Sequence, residues 1–271
     1  MSARLGISTG ICTDRPILEV LPLILAAGAE GVEIGTPPRH FDPWSDTQVS
    51  DLAHGLKANG LRAVSIHAPF GGGLDLADSH VERRDSAIDA ALTAARALKR
   101  CGGQLVIVHP SDLRRDEHDT RSRLRHSAQS LAELADRCTL EGLTLVLETP
   151  LPHLIGGHPD EFEFLLDALP ASAGACFDTG HAFLGNHWRR FITVAGHRLK
   201  HVHASDNRGS WDDHLPPGAG LIDWADIARS LDEVNFDGWI MLELACPGRD
   251  ALEGYLRTSF PLASSLLGLH R

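Results

Sequence analysis

Cysteine is scarce in this 271-residue chain, and the five cysteines that occur are widely spaced at positions 12, 101, 138, 176 and 246. Their odd number and the lack of any Cys-x-x-Cys pair argue against a disulfide framework and against a zinc ribbon. We therefore expect a protein of a reducing compartment, the cytoplasm.

Long apolar runs and positive charge are missing as well. No stretch of about eighteen apolar residues occurs, and the N-terminus shows no charged-then-apolar leader, so we expect neither a membrane-spanning segment nor export. The formal net charge of −11 at pH 7 disfavours broad, sequence-independent binding to nucleic acid.

The chain has instead several short apolar runs that end in the same kind of residue. Six short β-branched or apolar runs each finish in a residue that can bind a metal. They are residues 64–67, 106–109, 145–148, 175–178, 201–203 and 240–243, which end at His67, His109, Glu148, Asp178, His203 and Glu243. Parallel buried strands end at the same edge of a sheet, so these side chains can converge on one point. The pattern predicts a metal enzyme on a parallel barrel.

Two further apolar runs, residues 5–8 and 31–34, raise the predicted strands to eight, and segments with helical spacing lie between them. This alternation runs without a break in composition, which predicts an α/β fold with one domain over residues 1–271, a single (β/α)8 TIM barrel. An open doubly wound sheet would more often begin with a glycine-rich turn, and none follows Ser8. We expect the strands to end near Ser8, Gly35, His67, His109, Glu148, Asp178, Ala204 and Glu243.

Four of the predicted strand ends form the core of a candidate metal site. Glu148, Asp178, His203 and Glu243 are all ionisable, and in one barrel mouth they would repel or desolvate one another without a cation. Carboxylate and imidazole donors without thiolates suit zinc, manganese, cobalt or iron, and donor type alone does not choose among these metals.

A set of short motifs follows the same order along nearly the whole chain. They are His67-Ala68-Pro69, His109-Pro110, Glu148-Thr149, Asp178-Thr179-Gly180-His181, His203, Asp212-Asp213-His214 and Glu243. In these motifs the chain resembles the xylose-isomerase-like TIM barrel superfamily. That superfamily includes sugar and sugar-phosphate isomerases and epimerases, and also the endonuclease-IV-type apurinic/apyrimidinic endonucleases.

The resemblance implies residue roles that differ between the two branches. In the isomerase branch, Glu148, Asp178, His203 and Glu243 match a single-metal quartet, and the two glutamates also act as acid and base. In the endonuclease branch nine residues hold three zinc ions. Their counterparts here are His67, His109, Glu148, Asp178, His181, His203, Asp212, His214 and Glu243. One to three divalent ions per chain are therefore implied.

Our first hypothesis is a divalent-metal-dependent isomerase or epimerase of a sugar or sugar phosphate. Glu148 and Glu243 would exchange a proton with a small polyhydroxy carbonyl substrate through an enediolate-type transfer. We expect His181 and Arg208 to bind the substrate, Arg208 because its planar fork can meet a hydroxyl pair, a carboxylate or a phosphate.

Two alternatives stay open. The first is a multinuclear zinc phosphodiesterase of the apurinic/apyrimidinic endonuclease type, which the full set of nine residues favours. The acidic charge and the small Phe70-Gly71-Gly72-Gly73 loop disfavour that reading, since entering a duplex needs bulky side chains. The second is a barrel that binds a sugar or metal without turnover. We expect the final segment, after Tyr255, either to cap the barrel or to contact a second subunit. In the second case the protein would be an oligomer.

Overall fold

The computed structural model describes residues 2–112, 114, 116 and 118–269 of the chain. Eight parallel strands follow one another around a closed barrel, and the last strand pairs with the first. The strands are β1 (Arg4–Ser8), β2 (Gly31–Ile34), β3 (Arg62–His67), β4 (Leu105–Val108), β5 (Thr144–Glu148), β6 (Gly174–Asp178), β7 (Leu199–Ala204) and β8 (Trp239–Leu242). The predicted single TIM barrel is confirmed. The ends of the predicted domain, residue 1 and residues 270–271, lie outside the described residues.

Strand ends agree closely with the sequence pattern. Strands β1, β3, β5, β6 and β7 end at the expected residues, whereas β2, β4 and β8 each stop one residue earlier. At those three positions the chain leaves the hydrogen-bonded ladder just before Gly35, His109 and Glu243. Histidine and carboxylate side chains therefore leave the barrel at one end, the carboxyl end of the strands.

The strands are connected by helices that cover the outside of the barrel. The described residues form α1 (Ile17–Ala26), α2 (Asp46–Ala58), α3 (Val81–Arg100), α4 (Thr120–Leu140), α5 (Pro159–Asp167), α6 (Thr179–Leu184), α7 (Trp188–Ala195), α8 (Trp224–Glu233) and α9 (Leu252–Leu266). In α4 the apolar residues recur every three or four positions, so Leu131, Leu134 and Cys138 share one buried face. None of the described helices is both long and apolar enough to cross a membrane.

Successive side chains of each strand point alternately outward and inward. The outward residues, such as Val32, Ile66 and Leu147, join the large core that the helices cover. Inside the barrel, Ile107, Val146 and Cys176 form a small separate apolar cluster. The interior also buries polar side chains from other strands, so a polar layer lies beneath the barrel mouth.

The final segment forms α9 and packs against the protein's own helices α1 and α8. Its buried face consists of Leu252, Leu256, Phe260 and Ala263, all part of the main core. This helix therefore completes the ring of helices around the barrel. Of the two expectations for the final segment, this arrangement agrees with packing on the barrel of the same chain.

Candidate metal centre and active site

Four side chains from four consecutive strands meet in the barrel mouth. One ligand atom each from Glu148, Asp178, His203 and Glu243 can be chosen so that all four lie within 4.8 Å of one another. His203 Nδ1 is 3.2 Å from Glu148 Oε1 and 3.1 Å from Glu243 Oε2, so the imidazole lies between the two glutamates. Glu148, Asp178 and His203 are buried, whereas the Glu243 side chain keeps 25% of its surface exposed.

Two further groups flank this quartet. His67 Nε2 and His109 Nε2 lie 3.1 Å and 3.2 Å from Glu148 Oε2. On the other side, His181 Nε2 and His214 Nε2 lie 3.3 Å and 3.0 Å from Asp212 Oδ2. The five additional residues expected from the sequence, His67, His109, His181, Asp212 and His214, are thus all brought to the same mouth.

Backbone carbonyls orient three of these histidines in the same way. Nδ1 of His67 lies 3.0 Å from the carbonyl of Ala68, and Nδ1 of His181 lies 3.0 Å from that of Thr149. Nδ1 of His214 lies 2.9 Å from the carbonyl of Glu243. Because a carbonyl only accepts, each Nδ1 carries a proton and donates it to that carbonyl. In metal-free protein each Nε2 also carries a proton and donates it to the neighbouring carboxylate, whereas a bound cation would take the place of that second proton.

The short turn after β6 positions two of the candidate ligands together. Asp178 is the N-cap of α6, and its Oδ1 accepts the backbone N–H of His181 at 2.7 Å. The backbone N–H of Asp178 donates to Thr149 Oγ1 at 2.8 Å, which ties β6 to the end of β5. The Asp-x-x-His spacing therefore folds as a capped helical turn with both side chains in the mouth.

The carboxylates and imidazoles shift one another's ionisation. Burial acts to lower the pKa of His67, but the hydrogen bond and charge of Glu148 prevail and raise it to about 9. Burial likewise opposes protonation of His214, and Asp212 raises its pKa to about 10. Burial and the repulsion of Glu148 raise the pKa of Asp178 to about 6, against the attraction of His181.

The two glutamates respond in the opposite direction. Burial acts to raise the pKa of Glu148, yet the imidazoles of His203 and His109 hold it well below its ordinary range. His203 also lowers the pKa of Glu243, again against the effect of burial. Both glutamates are therefore anionic at neutral pH, which suits cation ligands and general bases.

The donor set fits a divalent cation. Asp178 Oδ2 and Asp212 Oδ1 are buried and make no hydrogen bond within the described part of the chain. A buried carboxylate oxygen without a donor is costly, and metal coordination is one way to compensate it. With oxygen and imidazole donors only, the quartet matches the metals expected from the sequence.

An open cavity borders the quartet on the side of β1 to β3. It has a volume of about 560 Å³, and His67 and Glu243 form part of its wall. Trp44 and Phe70 also line it, and their side chains are 55% and 56% exposed. The cavity offers aromatic surfaces and the Thr13 and Thr36 side chains next to the candidate acid and base.

Arg208 is the one predicted site residue that the structure does not bring to the cluster. Its side chain is 64% exposed, and its guanidinium lies 3.7 Å from the Asp213 carboxylate. The backbone N–H of Arg208 donates to the same carboxylate at 2.9 Å, so Arg208 contacts Asp213 through both its backbone and its side chain. The expectation that Arg208 binds the substrate stays a prediction.

Sequence reasoning missed a second layer of polar residues below the quartet. Glu33, Ser65 and His201 are buried in the barrel interior and contact one another and His203. Two signals in the sequence could have revealed them: a glutamate inside the apolar run of residues 31–34, and a histidine two residues before His203 on the same strand face.

Comparison with known proteins agrees with this arrangement. A family model described as "Xylose isomerase-like TIM barrel" matches residues 21–260. An uncharacterized protein of Methanocaldococcus jannaschii is 27% identical over 188 residues, which cover 66% of this chain and 64% of that protein. The D-psicose 3-epimerase of Ruminiclostridium cellulolyticum is 24% identical over 229 residues, 80% of this chain and 74% of the epimerase. A crystal structure described as a D-tagatose 3-epimerase-like protein has a TM-score of 0.85 at 20% identity, covering 98% of both chains.

Proposed function

We propose that this chain, which belongs to the xylose isomerase-like TIM barrel family, is a divalent-metal-dependent isomerase or epimerase of a small sugar. One observation carries the proposal. Two glutamates, the buried Glu148 and the partly exposed Glu243, approach from the ends of β5 and β8 and share His203 as a neighbour at 3.2 Å and 3.1 Å. Similarity to a D-psicose 3-epimerase supports a sugar as the substrate.

The metal would be held by Glu148, Asp178, His203 and Glu243. Their donors are three carboxylates and one imidazole, which suits zinc, manganese, cobalt or iron. When bound, such a cation polarises a carbonyl group and acidifies the adjacent carbon-bound proton.

The protein's own acid and base groups would then move that proton. One glutamate removes it from the carbon next to the carbonyl, and the other returns a proton, which gives an enediolate-type transfer. Glu243 borders the open cavity and can reach a substrate directly. His181 Nε2 faces the mouth beside Asp212, where it can contact a substrate hydroxyl.

The cavity favours a neutral sugar over a sugar phosphate. Aromatic faces such as those of Trp44 and Phe70 pack against the C–H faces of a sugar. The nearby carboxylates of Glu148, Asp178 and Glu243 would repel a phosphate, and the formal net charge of −11 adds to that field. We therefore propose an unphosphorylated ketose or aldose.

Exchange of carbon-bound hydrogen with solvent tests this proposal. Metal-loaded protein is incubated in deuterated water with a panel of ketoses, aldoses and their phosphates, and deuterium at the carbon next to the carbonyl is measured by NMR. Incorporation into at least one free sugar, at a higher rate than into its phosphate, is the expected result. No incorporation across the panel would overturn the isomerase assignment.

A second candidate is a multinuclear zinc phosphodiesterase. It is favoured by the approach of His67 and His109 to Glu148 and of His181 and His214 to Asp212, since clustered metals suit attack on a phosphodiester. Nicking of an abasic DNA duplex, together with about three metal equivalents per chain, would support this candidate. If neither deuterium exchange nor nicking occurs, a barrel that binds a sugar or metal without turnover becomes the better account.

A further inference from the structure

Glu33 is a buried carboxylate below the mouth that accepts hydrogen bonds from three side chains through a single oxygen. Ser65 Oγ donates to Glu33 Oε2 at 2.8 Å, while Nε2 of His201 and Nε2 of His203 each lie 3.1 Å from the same oxygen. The Glu33 side chain has no exposed surface. Because burying an unpaired carboxylate is costly, the three contacts explain how the barrel holds Glu33.

Strand geometry brings these residues together from distant parts of the sheet. Ser65 is the direct neighbour of Glu33 in the β2 and β3 pairing, and the register of that pair shifts between Val32 and Glu33. The shift skips Val64 on β3, so that Ser65 stands opposite Glu33. His201 and His203 stand two residues apart on β7, so both rings share the inner face. The contact from β2 to β7 therefore crosses the interior, because β1 and β8 separate the two strands.

His203 connects Glu33 to the proposed metal ligands. Its Nε2 faces Glu33, and its Nδ1 faces Glu148 Oε1 and Glu243 Oε2 at 3.2 Å and 3.1 Å. A carboxylate accepts hydrogen bonds and does not donate them, so the Nε2 beside it carries a proton. The other nitrogen, Nδ1, is then left to bind a cation as a neutral imidazole donor.

We propose that Glu33 is a positioning residue of the metal centre, which fixes the ring orientation and the tautomer of His203 so that Nδ1 points at the cation. Ser65 and His201 in turn hold the Glu33 carboxylate in place. This inference rests on the metal centre of the proposed function and does not depend on which substrate the protein uses. Partners of this kind behind a metal-binding histidine typically change metal affinity by about 10- to 100-fold.

Metal affinity tests the proposal without any assay of catalysis. Mn²⁺ and Zn²⁺ are titrated against a competing chelator for the unmodified protein, for Glu33→Gln, for Glu30→Gln and for Ser65→Ala. Glutamine keeps the shape but removes the negative charge, so we expect affinity to fall by about 10- to 100-fold. Glu30→Gln, the same substitution at an exposed glutamate just before β2, is the matched control, and its affinity should stay within about threefold. Ser65→Ala removes one bond that holds Glu33 but leaves the contact between Glu33 and His203, so its affinity should fall by less than that of Glu33→Gln.

The result can separate positioning from a purely structural role. Loss of thermal stability in Glu33→Gln and Ser65→Ala with unchanged metal affinity would overturn the proposal, as would failure of the unmodified protein to bind either metal. Tight metal binding without deuterium exchange would instead contradict only the isomerase assignment. In addition, the Co²⁺-loaded Glu33→Gln protein should show altered visible absorption bands, because the His203 ligand changes its orientation.

A second measurement uses the unmodified protein, so its result does not depend on whether a variant folds. In Zn²⁺-loaded protein with ¹⁵N-labelled histidine, long-range proton–nitrogen correlation spectra report which ring nitrogen of His203 carries a proton. We expect a protonated Nε2 and a zinc-bound Nδ1. A zinc-bound Nε2, or a proton on Nδ1, would contradict the inference directly.

Discussion

Each histidine of the mouth uses its two ring nitrogens differently, and this division defines the site at the scale of single residues. In His67, His181 and His214, Nδ1 contacts a backbone carbonyl and Nε2 faces a carboxylate. His203 is reversed, with Nδ1 toward the glutamates and Nε2 toward Glu33. The side-chain type is therefore only part of the chemistry, because the second nitrogen sets the direction of the first.

Glutamine in place of either proposed acid–base glutamate should separate proton transfer from metal binding. In Glu148→Gln and Glu243→Gln we expect deuterium exchange to fall by about 10²- to 10⁴-fold, because the amide cannot accept the proton although its oxygen can still bind a cation. Exchange rate and metal content are measured on the same samples. Glu30→Gln, an exposed position just before β2, is the control. Exchange at the unmodified rate in either site variant would contradict the assignment.

Arg208→Ala tests whether that side chain binds the substrate. An exposed ion pair such as Arg208 with Asp213 contributes about 0–1 kcal/mol, and the Arg208 side chain is mostly exposed. We expect kcat/KM to change by less than about threefold, as in the control Arg229→Ala, which removes another exposed arginine paired with an aspartate. A rise of KM beyond about tenfold in Arg208→Ala alone would restore its sequence-based role in substrate binding.

At the scale of elements, the loop between β7 and α8 depends on one buried carboxylate. Asp206 Oδ1 accepts the backbone N–H groups of Asn207 and Ile222 at 2.9 Å and 3.1 Å. Its Oδ2 accepts the N–H of Gly218 and the indole N–H of Trp224, both at 2.9 Å. Asp206 also pairs with Leu215 through two backbone hydrogen bonds of 2.8 Å. These hydrogen bonds hold together the two ends of the loop segment that carries Asp212 and His214.

Asp206→Asn should loosen this loop. The amide has one oxygen and an NH₂ group that would face donors, so at least two of the four N–H groups lose their acceptor. We expect the free energy of unfolding to fall by about 1–3 kcal/mol, and metal binding by the group of His181, Asp212 and His214 to weaken. Denaturant unfolding and metal titration measure these two effects.

The control for this loop is Asp213→Asn. Asp213 lies on the same stretch but accepts a backbone hydrogen bond only from Arg208 among the described residues, and its side chain is partly exposed. The free energy of unfolding should fall by less in Asp213→Asn than in Asp206→Asn. Equal stability of the two variants would show that Asp206 does not organise the loop.

At the scale of the whole molecule, negative charge is concentrated where the strands end. The chain has a formal net charge of −11, and four buried or partly buried carboxylates lie in the mouth. Against the opposing effect of burial, Glu148 raises the pKa of His67 to about 9, and Asp212 raises that of His214 to about 10. Imidazolium groups therefore offset the carboxylates in metal-free protein, and a divalent cation would replace their protons.

The stability of metal-free protein should consequently depend on pH. Both histidines have a folded pKa above the ordinary value of about 6.5, so their stabilising effect is complete below that pH and is lost as pH rises through about 9 to 10. We expect Tm after chelation to fall over this window by about 2–4 °C for each kcal/mol lost. Calorimetry at a series of pH values measures the fall.

Added metal should reverse the trend, because its ligands bind more tightly once deprotonated. The rise in Tm caused by saturating Mn²⁺ is thus expected to grow between about pH 6.5 and 9. The exposed His54→Gln variant should follow the unmodified protein. A Tm of the metal-free protein that stays constant across the window would refute this electrostatic account.

Local sequence patterns determined the architecture and much of the candidate site. Alternating apolar runs and amphipathic segments identify eight strands and the helices between them, because burial imposes periods of two and 3.6 residues. Since parallel strands share one carboxyl edge, the quartet and its five neighbours could be named from the residues that end those runs. Closure of the barrel follows the same order, with each strand beside its neighbour in sequence.

Only the tertiary structure decided which distant residues are in contact and where loop side chains lie, because the local spacing of apolar residues does not encode either. Glu33 and His203 are 170 positions apart and meet because the barrel closes and both point inward. The backbone and the guanidinium of Arg208 both contact Asp213, and His214 returns to the mouth through a backbone φ of 47°. Periodicity tells which face of a strand is buried; the partner across the barrel and the aim of a loop side chain depend on closure and on loop hydrogen bonds.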